Sequence, residues 1–201
     1  MRLVVLLSGS GSNFQTLIDA VTAGDLNVNI VAAGSDVPEA YGLSRAKAAG
    51  IETFVVDYHS YASRADWTAA LADTVETYQP DVVLSSGLMR IVGEAFIARF
   101  HGRFINTHPA LLPAFPGAHA VADALAAGVV ITGTTLHIVD AGVDTGPILD
   151  QRAVTIDPTD DVTSLHDKIK VAERQMLVDN LRCMAQGTTP VELIRPYANP
   201  R

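Results

Sequence analysis

Asn106 and His108 are two residues apart, and the proline-containing segment PALLPAFPG follows them at once. An Asn amide donates hydrogen bonds, and His is the side chain whose charge ordinarily changes near neutral pH. Because alternate residues of a strand point to the same side, both side chains face one way if the run before them is a strand. The pair is predicted to donate hydrogen bonds to a carbonyl oxygen that becomes negatively charged during a reaction.

A structural role is the alternative interpretation of this pair, because a His at a strand end is often packed and fully hydrogen-bonded. The remaining histidines are less well placed for chemistry: His59, His101, His119, His137 and His166. Among these, His137 lies in a strand-like run and is expected to pack or to support a neighbouring residue.

The segment DAGVDTG, residues 140–146, supplies two carboxylates, Asp140 and Asp144, on a turn that its glycines permit. A carboxylate beside His108 favours the imidazolium and orients the ring. Metal binding is the competing use of two Asp residues, but no compact set of His and carboxylate ligands accompanies them. We therefore expect no metal.

The segment SGSGSN, residues 8–13, lies between a strand-like run and a helical pattern. Glycines allow close approach of the backbone, and a helix N-terminus presents unpaired N–H groups that bind anions. Ser12 or Asn13 can cap the helix and bond a ligand oxygen. Phe14 stands where a dinucleotide fingerprint needs its third glycine, and the segment has no P-loop lysine. A phosphate monoester is the favoured ligand, with an ordinary capped turn and a dinucleotide as alternatives.

The elements that would position these residues alternate between apolar, strand-like runs and helical patterns. Such alternation is typical of a parallel sheet with helices on both faces. The predicted order is strand 3–7, helix 13–23, strand 28–33, helix 39–49, strand 53–56, helix 63–78, strand 82–84, helix 91–100 and strand 104–106. Ligands bind such sheets outside the carboxyl ends of the strands, where SGSGSN, SSGLMR and NTHPALLP fall.

After this regular part, a short helix at 119–127 precedes two strand-like runs, 132–139 and 147–156. DAGVDTG joins these two runs, so they predict a hairpin with a long loop. The predicted fold class is α/β: a doubly wound, mostly parallel twisted sheet of the Rossmann-like type, with helices on both faces and a C-terminal antiparallel hairpin.

A final helix is predicted over 161–184. Lys170 and Glu173 are three residues apart on it and share a face, either as a solvated pair or as site residues. The last residues of the chain are predicted as a strand fragment followed by a tail.

Composition restricts the class of protein. The 201 residues are 48% hydrophobic and 18% charged, and no apolar run is long enough to span a bilayer. Met1 leads into a strand-like run too short for a signal peptide, so a cytoplasmic location is expected. A net charge of −8 without clustered Lys or Arg argues against nucleic-acid binding. Cys183 is the single cysteine, which excludes an intrachain disulfide, and one domain over 1–201 is expected.

Taken in order, these segments resemble the folate-dependent glycinamide ribonucleotide formyltransferases of purine biosynthesis. The resemblance covers nearly the whole chain and is carried by MRLVVLLSGSGSN, PDVVLSSGLMRIV, INTHPALLPAFPG and GTTLHIVDAGVDTGPIL. HPALLP and DTGP are shared by a wider group of formyl-handling enzymes, whereas SGSGSN points to the ribonucleotide-using branch. The fold that the resemblance implies is a single Rossmann-like formyltransferase domain.

The resemblance also implies the reaction, in which the formyl group of 10-formyltetrahydrofolate, a co-substrate, passes to the amine of glycinamide ribonucleotide. Asn106 and protonated His108 would stabilise the oxyanion, and Asp144 would support the His charge and a proton shuttle. The residues implied to bind the ribonucleotide are Gly11, Ser12, Asn13, Lys170 and Glu173. The residues implied to bind folate are Arg64, Met89, Arg90, Ile91, Val92, Asn106, Asp140 and Asp144. The implied partners are these two small molecules, with no metal, nucleic acid or membrane, and a homodimer is allowed.

Three positions depart from the commoner pattern of the family. Ala110 stands where many relatives have Ser, Ala114 replaces a basic residue, and Thr107 replaces an aliphatic one. All three lie outside the catalytic trio, so we expect altered loop contacts or affinity with the chemistry retained.

Two other formyl-handling enzymes are the nearest alternatives. A formyltetrahydrofolate hydrolase carries an N-terminal regulatory domain, and a methionyl-tRNA formyltransferase carries a C-terminal domain. We expect this chain to have room for neither, and its acidic balance disfavours tRNA. A non-catalytic phosphate or nucleotide sensor is an alternative of another class. It would leave Asn106, His108 and Asp144 without a shared task.

Overall fold

The computed structural model describes residues 1–193, which contain a seven-stranded sheet. The strands are β1 Arg2–Leu7, β2 Asn29–Ser35, β3 Thr53–Val55, β4 Val82–Ser85, β5 Phe104–His108, β6 Ile131–Ile138 and β7 Ile148–Thr155. The α-helices are α1 Ser12–Thr22, α2 Tyr41–Ala48, α3 Arg64–Thr77, α4 Glu94–Arg99, α5 Ala120–Ala126 and α6 Val162–Ala185. Short 3-10 helices cover Tyr58–Ser60 and Pro190–Leu193.

The strands follow the order β3-β2-β1-β4-β5-β6-β7. The first five pair in parallel, whereas β6 is antiparallel to β5 and β7 is antiparallel to β6. Strand order reverses between β1 and β4, and a crevice outside the carboxyl ends of such strands is where ligands bind these sheets. The prediction of a doubly wound, mostly parallel α/β sheet with an antiparallel hairpin is confirmed.

The sheet is covered on both faces. Every residue of β1 after its first is apolar and buried. Val5 belongs to the same buried cluster as Phe14 of α1 and Leu177 of α6. Leu6 belongs to the cluster on the opposite face, together with Trp67 of α3. A strand that is buried on both faces reads as a continuous apolar run, which explains the segment LVVLL.

Helix α4 differs from its prediction, because it begins at Glu94 rather than at Ile91. Gly93 is its N-cap residue and donates its backbone N–H to the Thr68 hydroxyl at 3.1 Å. This contact with α3 comes from the tertiary fold, so the local pattern did not reveal it. The residues before Gly93 consequently form a loop instead of the first turn of a helix.

Strand β5 extends two residues beyond its prediction, to His108. The extension pairs with β6, with Asn106 opposite His137 and His108 opposite Thr135. The strand fragment predicted near the chain end is wrong for Pro190–Leu193, which form a 3-10 helix, and the tail from 194 onward lies outside the described residues. Within residues 1–193, no helix is long and apolar enough to cross a membrane.

Candidate active site

A cavity of about 790 Å³ lies outside the carboxyl ends of β1, β4 and β5. The segments that follow these strands line it, together with the loop between β6 and β7 and residues of α6. The predicted site residues that line it are Gly11, Ser12, Asn13, Met89, Arg90, Ile91, Val92, Asn106, His108, Asp140, Asp144, Lys170 and Glu173. Arg64 is the exposed first residue of α3 and lies outside this lining.

The glycine loop reaches the cavity at the start of α1. Gly11 is the N-cap residue of this helix and has φ of 65°, a left-handed conformation that favours glycine. A Cβ atom on Gly11 would also lie 2.7 Å from the Cα atom of Gly42. Among the described residues, no side chain caps this helix end. Its first-turn N–H groups therefore suit an anionic ligand.

The side chain of Asn13 is held by two residues of α6. Its Oδ1 accepts a hydrogen bond from Arg174 Nε at 3.1 Å, and its amide also bonds the Glu173 carboxyl group. Lys170, one turn earlier on α6, places Nζ 3.0 Å from Asp167 Oδ1. The side-chain oxygen of Asn13 thus already has a partner within the protein. Sequence reasoning missed Arg174, which adds a second cation behind the start of α1.

Glu173 is a buried carboxyl group, with 7% of its surface exposed. Burial raises its pKa above the ordinary value of 4.5, and hydrogen bonds from Thr107 and Asn13 offset part of that rise. The Thr107 hydroxyl donates to Glu173 Oε1. This contact gives a physical reason for a polar, β-branched residue at Thr107.

Replacing Glu173 by Gln should change how stability depends on pH. A carboxyl group whose pKa is raised in the folded state stabilises the fold below its unfolded pKa, and this contribution is lost as pH rises through the folded pKa. As pH rises from about 5, just above the ordinary pKa, wild type should therefore lose more stability than Glu173→Gln, as measured by urea unfolding. Glu39→Gln, an exposed carboxylate, is the matched control. Equal losses in wild type and Glu173→Gln would contradict the assignment.

Asn106 is oriented by its cross-strand neighbour His137. His137 Nδ1 lies 3.0 Å from the carbonyl oxygen of Ile138, which can only accept, so the proton resides on Nδ1. Nε2 then accepts from Asn106 Nδ2 at 3.3 Å. Burial lowers the pKa of His137, which keeps the ring neutral. Its 3.6 Å approach to Asp144 is therefore not an ion pair.

His108 is buried, and both of its ring nitrogens face oxygen atoms. Nε2 lies 2.7 Å from the carbonyl oxygen of Phe115, and Nδ1 lies 3.3 Å from Asp144 Oδ2. Both oxygens are acceptors, so an imidazolium with a proton on each nitrogen satisfies them together. The contact with Phe115 fixes the ring, and it turns Nδ1 toward Asp144.

Asp144 lies on the loop between β6 and β7 with φ of 55°, a conformation that Asp adopts more readily than most residues. Its Oδ2 accepts from the backbone N–H of Gly117 at 2.8 Å and faces His108. Asp140 stabilises the same loop, because its Oδ1 accepts from Gly142 N–H at 3.1 Å and from the Thr145 hydroxyl at 2.7 Å. The predicted carboxylate pair thus divides into one that faces His108 and one that shapes the loop.

The HPALLP segment is held by a buried hydroxyl group. Thr135 Oγ1 donates to the carbonyl oxygen of Ala110 at 2.7 Å and accepts from Leu112 N–H at 3.0 Å. Ala110 is fully buried, whereas Ala114 is exposed. Of the two alanine departures, the one at Ala114 therefore lies on the surface, where it can alter contacts with a ligand or with solvent.

The lining near β4 is apolar and exposed. Met89 is 80% exposed and Ile91 is 60% exposed, and Val143, across the cavity lining, is 51% exposed. Large apolar side chains that remain exposed together often mark a ligand surface. Within residues 1–193, no group of three or more His, Cys, Asp or Glu side chains is arranged to hold a metal ion.

Comparison with known proteins decides the family. Residues 1–181 match the family described as formyl transferase. The chain belongs to the formyl transferase family. It is 49% identical over 191 residues to the phosphoribosylglycinamide formyltransferase of Mycobacterium tuberculosis, covering 94% of this chain and 88% of the relative. The predicted resemblance, and the prediction that the chain is a formyltransferase enzyme, are confirmed.

Solved structures of formyl transferase relatives share the fold. The glycinamide ribonucleotide transformylase 1 of Symbiobacterium toebii matches with a TM-score of 0.90 and 40% identity, covering 94% of this chain and 89% of that one. The phosphoribosylglycinamide formyltransferase of Brucella melitensis matches with a TM-score of 0.86 and 39% identity, covering 92% and 96%.

Three histidines that sequence reasoning set aside also line the cavity of this formyl transferase: His119, His137 and His166. Burial and the nearby charge of Lys170 lower the pKa of His166. The signal that could have found His137 is its place opposite Asn106 in the strand pairing, and no single segment contains that information.

Proposed function

We propose that this formyl transferase passes the formyl group of 10-formyltetrahydrofolate to the amine of glycinamide ribonucleotide, a step of purine biosynthesis. The observation that carries the proposal is the position of Asn106, His108 and Asp144 in one cavity. The same cavity contains the uncapped start of α1 and the apolar 89–92 segment. These two features suit a phosphate monoester and a flat ring system.

The first step would be attack of the amine lone pair on the formyl carbon, which turns the carbonyl oxygen into an oxyanion. Asn106 Nδ2 and His108 Nδ1 would be the two donors to this oxygen, because His137 orients the amide and Phe115 fixes the ring. Donors held in place before the reaction stabilise the developing charge without reorganisation. A protonated His108 adds a full positive charge to that stabilisation.

The second step would move a proton and break a bond. The attacking nitrogen becomes cationic and must lose a proton, while N10 of the folate must gain one as its bond to the formyl carbon breaks. The Asp144 carboxylate can accept and return a proton through water, and it pairs with the His108 cation at 3.3 Å. The products are formylated ribonucleotide and tetrahydrofolate, so atoms and charges balance.

Each substrate would have its own part of the cavity. The backbone of Gly11, Ser12 and Asn13 would bind the ribonucleotide phosphate, with Lys170 adding charge and Glu173 binding elsewhere on that substrate. The backbone and side chains of Met89, Arg90, Ile91 and Val92 would line the folate ring site, with the 140–144 loop opposite. Arg64 lies outside the cavity lining and would therefore meet only an extended part of the donor.

Glycinamide ribonucleotide should raise the thermal stability of the wild-type chain, and Asn13→Leu should abolish this rise. A hundredfold excess of ligand over Kd adds about 2.7 kcal/mol of stability. Leucine cannot make the contacts of Asn13 with Arg174 and Glu173, so the loop that binds the phosphate loses its anchor. Differential scanning fluorimetry with and without the ligand measures the shift. Asn27→Leu, at an exposed position outside the cavity, should keep it. An unchanged thermal shift in Asn13→Leu would contradict the assignment of the phosphate site to this loop.

The reaction is tested by an absorbance assay for the deformylated folate, run with and without glycinamide ribonucleotide. Product formation that requires the amine supports the transferase. Product formation without the amine would indicate a hydrolase. No product in either case would indicate a different formyl acceptor or a sensor.

We also propose that residues 1–201 form one formyltransferase domain. The cytoplasmic location and the homodimer stay predictions. In solution, sedimentation of the purified chain would distinguish a monomer from a dimer.

A further inference from the structure

We propose that Asp36 is a positioning residue that ties together the two loops of the cavity. The phosphate loop is 8–13, after β1, and the donor loop is 87–92, after β4. Asp36 follows β2 and does not belong to the cavity lining. The inference rests on the proposed function, because that function assigns one substrate to each loop.

Asp36 is a buried carboxylate, with 2% of its surface exposed. A buried carboxylate is retained only when it is paired and hydrogen-bonded. Its Oδ1 accepts a hydrogen bond from the Ser8 hydroxyl, and its Oδ2 accepts from Arg90 Nε at 3.0 Å. One partner belongs to the phosphate loop and the other to the donor loop, so the carboxylate joins the two.

Ser8 strengthens this connection by bonding the donor loop directly. Its hydroxyl oxygen accepts from the backbone N–H of Met89 at 2.7 Å while its hydroxyl proton goes to Asp36. Its own backbone N–H donates to the carbonyl oxygen of Gly87 at 3.0 Å. Because Asp36 accepts the hydroxyl proton, a lone pair of the Ser8 hydroxyl oxygen is free to accept the N–H of Met89.

Arg90 is held from two sides. Its Nε bonds Asp36, and its guanidinium carbon lies 4.2 Å from the centre of the Tyr58 ring. Tyr58 in turn packs edge-on against Trp67, with ring centres 5.3 Å apart. Held in this way, the Arg90 side chain anchors the donor loop, which lines the cavity.

Asp36 thus fixes the spacing between the phosphate loop and the donor loop. Formyl transfer requires both substrates to meet at Asn106, His108 and Asp144, so a change in that spacing should weaken the binding of both. Among the described residues, no side-chain hydrogen bond or ion pair joins Asp36 to Asn106, His108 or Asp144. Its loss should therefore act on KM far more than on kcat.

The test compares wild type with Asp36→Asn, Ser8→Ala and a control, Asp150→Asn. Asp150 is also a largely buried carboxylate, bonded to Arg152 at 2.9 Å and to Asn180 at 2.9 Å, but it lies outside the cavity lining. Steady-state kinetics with both substrates gives KM and kcat, and thermal unfolding gives the stability of each variant.

Asp36→Asn is expected to raise both KM values by about tenfold and to change kcat by less than about threefold. Ser8→Ala keeps the ion pair between Asp36 and Arg90, so both KM values should rise by a smaller factor. This variant allows the test to be made even if Asp36→Asn fails to fold. Asp150→Asn should lose stability with both KM values unchanged. KM values that follow stability in all three variants, or that stay unchanged in Asp36→Asn, would overturn the proposal.

Hydrogen exchange separates this proposal from the proposed function. The peptide covering the donor loop should exchange faster in Asp36→Asn and Ser8→Ala than in wild type, because the Met89 N–H loses its fixed acceptor. It should not change in Asp150→Asn. Unchanged exchange of this peptide would overturn the role of Asp36 whatever the reaction is. Absence of turnover in wild type, with the exchange result as expected, would overturn the proposed function alone.

Discussion

Asp144→Asn is expected to lower kcat by about 10²- to 10⁴-fold, the range typical of a lost acid–base group. The amide cannot take up the proton that the attacking amine releases. His108 also loses the charge partner that lies 3.3 Å from its Nδ1. Because the phosphate loop and the donor loop are untouched, the thermal shift with glycinamide ribonucleotide should persist.

Asp123→Asn provides the control for this substitution. It also removes one carboxylate, but from the exposed surface of α5, outside the cavity lining. Its kcat should stay within about twofold of wild type, as is usual for surface changes away from a site. Near-normal turnover in Asp144→Asn would remove this residue from the mechanism. A lost thermal shift would instead show that Asp144 is needed for the loop rather than for the chemistry.

His108→Leu should lower kcat by about 10²- to 10³-fold, the usual cost of one oxyanion donor. Leucine fills part of the ring's space but offers no N–H and no positive charge. It also leaves the carbonyl oxygen of Phe115 and the Asp144 carboxylate without their shared partner. The measurement is single-turnover formyl transfer at saturating concentrations of both substrates, so that binding does not limit the rate.

His101→Leu is the matched control for this change, because His101 is exposed and lies outside the cavity lining. Its single-turnover rate should equal that of wild type. A His108→Leu rate equal to that of His101→Leu would mean that the oxyanion is stabilised without this ring. Asn106 would then be the only assigned donor left, and the proposed first step would have to be revised.

The fold could be predicted from the sequence because its signals are local. Apolar runs such as Leu3 to Leu7, glycines at the ends of strands and helices, and helical spacing each act within a few residues. The start of α4 was predicted too early because Gly93 is fixed by Thr68, a residue of another helix. The end of β5 was predicted too early because its last residues depend on pairing with β6.

In the candidate site, too, residues with local signals could be predicted, and residues that depend on distant contacts could not. Asn106, His108 and Asp144 could be found because each lies in a short segment with unusual polar residues after an apolar run. The sequence could not show that His137 supports Asn106 in particular, and it gave no sign of Arg174, since the contacts of these two residues with Asn106 and Asn13 join segments far apart in the chain.

Asp36 illustrates why such residues escape a reading of the sequence. It has no motif of its own, and nothing in its neighbourhood along the chain indicates a buried charge. Only the approach of Ser8 and Arg90 in the folded chain gives the carboxylate a reason to be there. Sequence patterns thus predict the groups that carry chemistry more readily than the groups that hold them in place.

Tracing the formyl group itself tests the central claim most directly. The chain would be incubated with 10-formyltetrahydrofolate labelled with ¹³C in the formyl group and with glycinamide ribonucleotide, and the products resolved by mass spectrometry. Direct transfer predicts that the label appears on the ribonucleotide amine in an amount equal to the tetrahydrofolate formed. The rate of label transfer should be far higher in wild type than in Asp144→Asn. Label recovered as free formate, or a ribonucleotide without label, would contradict the account.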